Sequence, residues 1–313
     1  MIRINSSARS LAMLLGIVTA AVISFAAIHT ARAQQAYGSP AEAFAALISA
    51  AKANDQKAML TVLGPNGTDI VSSGDPVLDA SQRELVVAAY DERHAIETEG
   101  DKAILHLGQI EYPFAIPVVR KDGAWRFDTV AGREEVLYRR VGRNELAVMQ
   151  VCLAYVDAQD DYAEMSLAAT GLATYAQRIV SSPGKKDGLY WPAKDGEAQS
   201  PLGEFAAQAS AVGYRTEGGP APFFGYYFKI LTRQGPDANG GAYDYIARGQ
   251  MIGGFALVAF PAEYGNSGVM TFIVNQDGII YEKDLGPSTA QIARQMTTFN
   301  PDKTWAKAEM GEP

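Results

Sequence analysis

Cysteine and histidine are scarce in this chain: one and three in 313 residues. Cys152 has no second cysteine to pair with, so no internal disulfide can form. It sits in Val151-Cys152-Leu153-Ala154 with Asp157 as its nearest charge. An acid nearby disfavours a thiolate, so this cysteine reads as a small buried hydrophobe. Beyond residue 33 the histidines are His94 and His106 alone, with no neighbouring cluster of zinc-type ligands. Positive charge is also short, with 27 Lys and Arg against 35 Asp and Glu, a net of −8. That balance excludes a nucleic-acid backbone as partner, since such binding rests on dense cationic neutralisation. No Gly-x-Ser-x-Gly elbow occurs, and no spaced glycines precede a helix as a phosphate loop requires. Internal repeats and low-complexity tracts are absent from the sequence, and no cofactor is expected. The chain is 48% hydrophobic and 20% charged, so it has the material for a packed core.

The one long apolar run lies at the start. Arg3 and Arg9 precede residues 11–27, and Ala31-Arg32-Ala33 follows with a small-x-small pattern. This is the layout of a cleavable export signal cut after Ala33. An uncleaved anchor is the alternative, although the run is short for a membrane span. With no cysteine near the cleavage point, a lipid anchor is not expected. The reading is a periplasmic or secreted protein with no stable membrane insertion after cleavage.

Beyond the signal, Ser39-Pro40-Ala41-Glu42 carries an N-cap, a proline at the first helical position and an acid three residues after the cap. Asp55 can cap a second helix that ends at Gly64-Pro65. Ser81-Gln82-Arg83-Glu84 repeats the capping pattern for a third helix to about Glu92. Strand patterns follow at Ile96, 103–107, 112–119 and 124–128, with Asp122-Gly123 as a hairpin signal. A long helix is expected over 133–162, with a possible break at Gly142. Arg133, Arg139, Arg140 and Arg143 lie early in it; Asp157, Asp160, Asp161 and Glu164 lie late. Acids at a helix C-terminus are unfavourable, so either the helix runs further or something offsets them. Short helices are expected near 172–180, 202–211 and 288–297. Strands are expected at 226–231, at the all-apolar 255–260, and at 269–274 and 279–281. The fold class predicted is α+β: a cone-like domain of helices and an antiparallel meander over 34–131, then a long helix with a second, mainly antiparallel sheet domain over 132–313.

The helix–meander order, ending in Asp122-Gly123-Ala124-Trp125-Arg126-Phe127, resembles the cone fold of nuclear transport factor and its ketosteroid-isomerase-like relatives. From Arg133 to Trp305 the chain resembles the domain-of-unknown-function family numbered 2950. The residues that carry this are Asp187-Gly188-Leu189-Tyr190-Trp191-Pro192, Ser200-Pro201-Leu202-Gly203, Gly225-Tyr226-Tyr227-Phe228 and Gly240-Gly241-Ala242-Tyr243-Asp244-Tyr245. To these add the run Gly249-Gln250-Met251-Ile252-Gly253-Gly254-Phe255. That resemblance implies an exported envelope protein of Gram-negative bacteria. A helix with Leu153-Ala154-Tyr155 before an antiparallel sheet also resembles the globular part of pseudopilins. Here the hydrophobic N-terminal segment is of the removed type, so pilus assembly is not implied.

For chemistry, His106 alternates with Leu105 and Leu107 and could face a cone interior with Glu111 and Asp128, the groups an acid/base site would need. Asp157, Asp160 and Asp161 could hold a hard cation, or form a solvated helix face. Tyr190, Trp191, Tyr226, Tyr243 and Tyr245 crowd a glycine-rich region; they could recognise a glycan or protein partner in the envelope, or simply pack. The function expected is a non-catalytic binding or scaffolding module of the cell envelope. The alternative is an envelope hydrolase or isomerase working in the N-terminal cone.

Overall fold

The computed structural model describes residues 34–193, 196–211, 213–214 and 221–310. The export signal read over residues 1–33 therefore lies outside the described residues. The fold is α+β.

The first half opens with α1 (Pro40–Lys52), α2 (Gln56–Leu63), the short α3 (Thr68–Val71) and α4 (Pro76–Glu92). Ser39 and Asp55 cap α1 and α2 by accepting from the Glu42 and Ala58 amides. These helices cover one face of an antiparallel sheet of β1 (His94–Glu99), β2 (Lys102–Leu107), β3 (Tyr112–Pro113), β4 (Val118–Lys121) and β5 (Ala124–Phe127). The β4–β5 turn places Asp122 at φ 53° and Gly123 at φ 75°. Those paired positive angles are what an Asp-Gly hairpin turn supplies. Along β2, Ala103, Leu105 and Leu107 are buried while the residues between them point away from the core. The core beneath the helices joins Phe44, Leu47, Met59, Leu63, Leu105 and Phe127, with Phe44 edge-on to Phe127 at 5.4 Å.

α5 then runs unbroken over Thr129–Thr170, 42 residues, or about 63 Å at ~1.5 Å per residue. Asp128 caps its start and Gly171, at φ 77°, ends it. Gly142 does not interrupt it, and the late acids are interior to the helix rather than at its terminus. Gly132 is required where the helix begins, because a Cβ there would stand 2.7 Å from the Ile116 Cα.

The second half holds α6 (Gly203–Ala211), β6 (Tyr226–Leu231), β7 (Arg233–Gln234), β8 (Tyr243–Asp244), β9 (Ile246–Ala247), β10 (Gln250–Met251), β11 (Ala256–Pro261), β12 (Met270–Asn275), β13 (Tyr281–Asp284), α7 (Thr289–Gln295), β14 (Thr298–Phe299) and β15 (Ala306–Lys307). Its main sheet is antiparallel in the order β15-β13-β12-β11-β6. β11 is buried at every position, as an all-apolar central strand must be. Asn144, Val148, Cys152, Tyr155 and Gln159 of α5 form one buried stripe on this body.

Two local expectations change. α4 begins at Pro76 with Asp75 as its cap, five residues before the Ser81 pattern. No helix forms over 172–180: the Tyr175 amide bonds the Met251 carbonyl and the Ala176 amide bonds Gln159, so tertiary partners replace a helical ladder.

Two buried polar groups tie the halves together. Asp75 caps α4 with one carboxylate oxygen; the other accepts from the Tyr214 hydroxyl at 2.6 Å and the Gly225 amide at 2.9 Å. Burial first, and then the bond to Asp75, push the Tyr214 phenol far above its ordinary value. Arg140 of α5 donates to the Asp69 and Ile70 carbonyls at 2.6 and 2.8 Å and to the Asn266 side chain.

Candidate functional site

Beneath the helices of the first half lies a cavity of about 300 Å³. Its floor is apolar and deep: Leu47, Ile48, Met59, Leu63, Leu78 and Ile116 are each buried. Its rim is polar, with Gln82, Arg83, Tyr112, Arg139 and Arg143. The residues that build this rim follow helical spacing. Val136, Arg139, Arg140 and Arg143 of α5 stand at i, i+3, i+4 and i+7, so they share one face, and that face meets the cavity. Arg83 comes from α4 on the opposite side.

The four guanidiniums are not equally engaged. Arg140 is committed to its carbonyl and amide partners. Arg139 donates from Nε to Glu135 at 2.6 Å and from Nη1 to the Pro113 carbonyl at 3.0 Å, and lies over the Tyr112 ring at 4.8 Å. Arg83 reaches the Val71 carbonyl at 3.3 Å through Nη1, while its Nε is buried without a partner. Arg143 makes no hydrogen bond or ion pair among the described residues. Burial in the cavity mouth holds Arg143 below the usual arginine value. Burial does the same to Arg140, with Asp79 opposing the shift and Arg143 adding to it. Asp79 is the carboxylate of the cavity wall, and its Oδ2 accepts from the Ser73 amide at 2.9 Å.

His106, Glu111 and Asp128 do not converge on this cavity. His106 lies on the outward side of β2, with Nε2 3.0 Å from Glu97 and Nδ1 3.1 Å from the Glu111 carbonyl. Glu111 is exposed and paired with Arg93 at 2.7 Å. Asp128 is the α5 cap. The reason is pleat: Leu105 and Leu107 take the core side, and strand alternation sends His106 the other way. These three side chains therefore do not come together as an acid/base set in this cavity.

Asp157, Asp160 and Asp161 are exposed on α5. Desolvation, then Asp157, Asp161 and Glu164, raise the Asp160 carboxyl above its ordinary value. Among the described residues no group of three or more His, Cys, Asp or Glu side chains is arranged to hold a metal ion. Of the aromatics, Tyr226 and Tyr245 are in the second core, Trp191 is buried, Tyr190 is half-buried and Tyr243 is exposed. Tyr190 also lines a second cavity, of about 500 Å³, with Tyr155, Phe205, Tyr214, Phe223 and Tyr227. No charged side chain lines it among the described residues, and its wall includes Tyr214 and Ala221, which flank residues 215–220 outside the described set.

The rim arginines were not identified as a site from the sequence. The available signal was charge at positions 139, 140 and 143 of a helix whose neighbours at that spacing are apolar. Comparison with curated proteins and with solved structures finds no match. The family model described as protein of unknown function, DUF2950, matches residues 34–308, and the chain belongs to that family.

Proposed function

We propose that this protein is an exported, non-catalytic binding module of the cell envelope, and that it takes an apolar small molecule in the cone cavity of its first half. The observation that carries the reading is the cavity itself. It is about 300 Å³, at the lower end of the range of ligand sites, with a deep apolar floor and a few convergent polar groups at its mouth. Leu85, Ile110 and Tyr112 stand exposed along a groove beside that mouth, which gives an apolar ligand a path in. Against acid/base chemistry in the cone stands the placement of His106, Glu111 and Asp128, each occupied elsewhere. Export is supported by the signal pattern over residues 1–33 and by a family match that begins at residue 34. Among the described residues no helix is long and apolar enough to cross a membrane.

The test uses a neutral naphthylamine dye whose fluorescence rises in apolar surroundings. One equivalent is expected to bind the wild type. Ala51→Phe, which fills the cavity from α1, is expected to remove binding while the melting temperature stays within a few degrees. Equal dye binding by a folded Ala51→Phe protein would overturn the cone as the site. N-terminal sequencing of the protein recovered from the periplasm is expected to begin at Gln34.

A further inference from the structure

The cone cavity has an uncompensated charge at its mouth, and this narrows the ligand. Resting on the reading that the cavity is a ligand site, we infer that its occupant is an amphipathic monoanion, a medium-chain carboxylate, with its head on Arg143, Arg83 and Arg139 and its apolar body on the floor beneath.

Three observations converge. First, hydrogen-bonding capacity is left over. Arg143 has no partner among the described residues, and the Arg83 Nε is buried without one. A buried donor left unpaired is unfavourable, and an accepting carboxylate would satisfy it. A guanidinium presents paired donors that match carboxylate geometry. Second, the local charge is positive in an acidic chain. Every charged group on the wall is accounted for: Arg83, Arg139, Arg140 and Arg143 face one carboxylate, Asp79. Glu135 is spent on Arg139, and Asp69 pairs with Arg133 on the same helix. Arg143 acts on Arg140 as a like charge, while Asp79, Asp69 and Glu263 oppose it, so the carboxylates nearby are directed at Arg140 and leave Arg143 for an anion. Third, the polarity is divided in space. The floor residues are buried, whereas Tyr112 and Arg143 reach solvent. A wholly polar anion leaves the floor unfilled, and a neutral hydrocarbon leaves the rim unpaired. A cavity of about 300 Å³ lies at the lower end of small-ligand sites, which favours a medium chain over a long one.

Calorimetric titration with sodium decanoate, decanol and inorganic phosphate separates the outcomes. Decanoate is expected to bind at one equivalent and to displace the neutral dye, with decanol at least tenfold weaker and phosphate silent. Arg143→Gln, an exposed change with little bearing on folding, is expected to weaken decanoate roughly tenfold and the neutral dye by at most about twofold. Raising salt is expected to weaken decanoate and not the dye. Decanol binding as tightly as decanoate, or an unaltered decanoate affinity in Arg143→Gln, would refute the anionic head while dye binding upheld the cavity. Phosphate displacing decanoate without an effect on the dye would refute the amphipathic ligand in favour of a plain anion site. Loss of dye binding altogether would instead remove the cavity reading on which this inference rests.

Discussion

The face that α5 turns toward the first core carries Val136, Arg139, Arg140 and Arg143; the face it turns toward the second carries Asn144, Val148, Cys152, Tyr155 and Gln159. The same helical period serves both, yet one stretch brings cations to a cavity and the other brings small and aromatic groups to a sheet. In the second stretch every polar group is matched. The Tyr155 hydroxyl bonds the Ala256 carbonyl at 3.2 Å, and Gln159 bonds the Ala176 carbonyl and amide at 2.9 and 2.8 Å. In the first stretch Arg140 is matched and Arg143 is not. Satisfied buried polar groups are what a structural interior requires, whereas Arg143 stands at the solvent edge of the cavity with its donors free for another group.

This contrast can be broken experimentally. The largest effect is expected at Cys152. Burial pushes its thiol up to about 12, so native alkylation at neutral pH should be at least a hundredfold slower than in denaturant. Fast native labelling would show that the second face is not closed. Next, Tyr155→Ala should destabilise by about 3–5 kcal/mol in urea unfolding, as for other buried aromatic truncations. Arg140→Met should cost about 2–4 kcal/mol, because it strands the Asp69 and Ile70 carbonyls. Arg140→Lys should not restore that stability, since one ammonium cannot reproduce the fork. Arg143→Gln should lie within about 0.5 kcal/mol of wild type, as an exposed residue with no partner would. A cost near that of Arg140→Met would erase the distinction between the two arginines.

The smallest effect concerns the acids on the far side of the same helix. The folded-state pKa of Asp160 is raised, so its ionised form is the disfavoured one in the native protein. Its penalty is present at pH values above the folded pKa and is relieved as pH falls through that value. Asp160→Asn should therefore stabilise at pH 7 by about 0.5 kcal/mol or less, and the gain should vanish at acid pH. A thermal-melt series against pH reads both.

Much of the architecture was legible because local chemistry and fold agree. Ser39-Pro40 and Asp55 start helices where caps should, Asp122-Gly123 turns a hairpin, and the all-apolar run near Phe255 became the buried β11. The failures share a cause. Asp75-Pro76 is also a capping signal, but its carboxylate serves Tyr214 and Gly225 as well, and no local pattern shows a partner more than a hundred residues away. Residues 172–180 have helical composition, yet Met251 and Gln159 claim their backbone. At the candidate site, His106 attracted notice by residue type, whereas the strand's pleat decided its direction. The arginines of α5 were visible as charge, but not as a rim, because the opposing Arg83 and the floor come from separate helices.

The unbroken run of α5 has a consequence for cooperativity. Two hydrophobic cores take their cover from one continuous rod, so neither can lose that cover without fraying the element the other depends on. The halves then share a single melting event, and scanning calorimetry should show one heat-absorption peak whose width matches its enthalpy. Cutting the chain between Asp128 and Thr129 would leave the first half without the Arg140 tether and with its cavity open along one side.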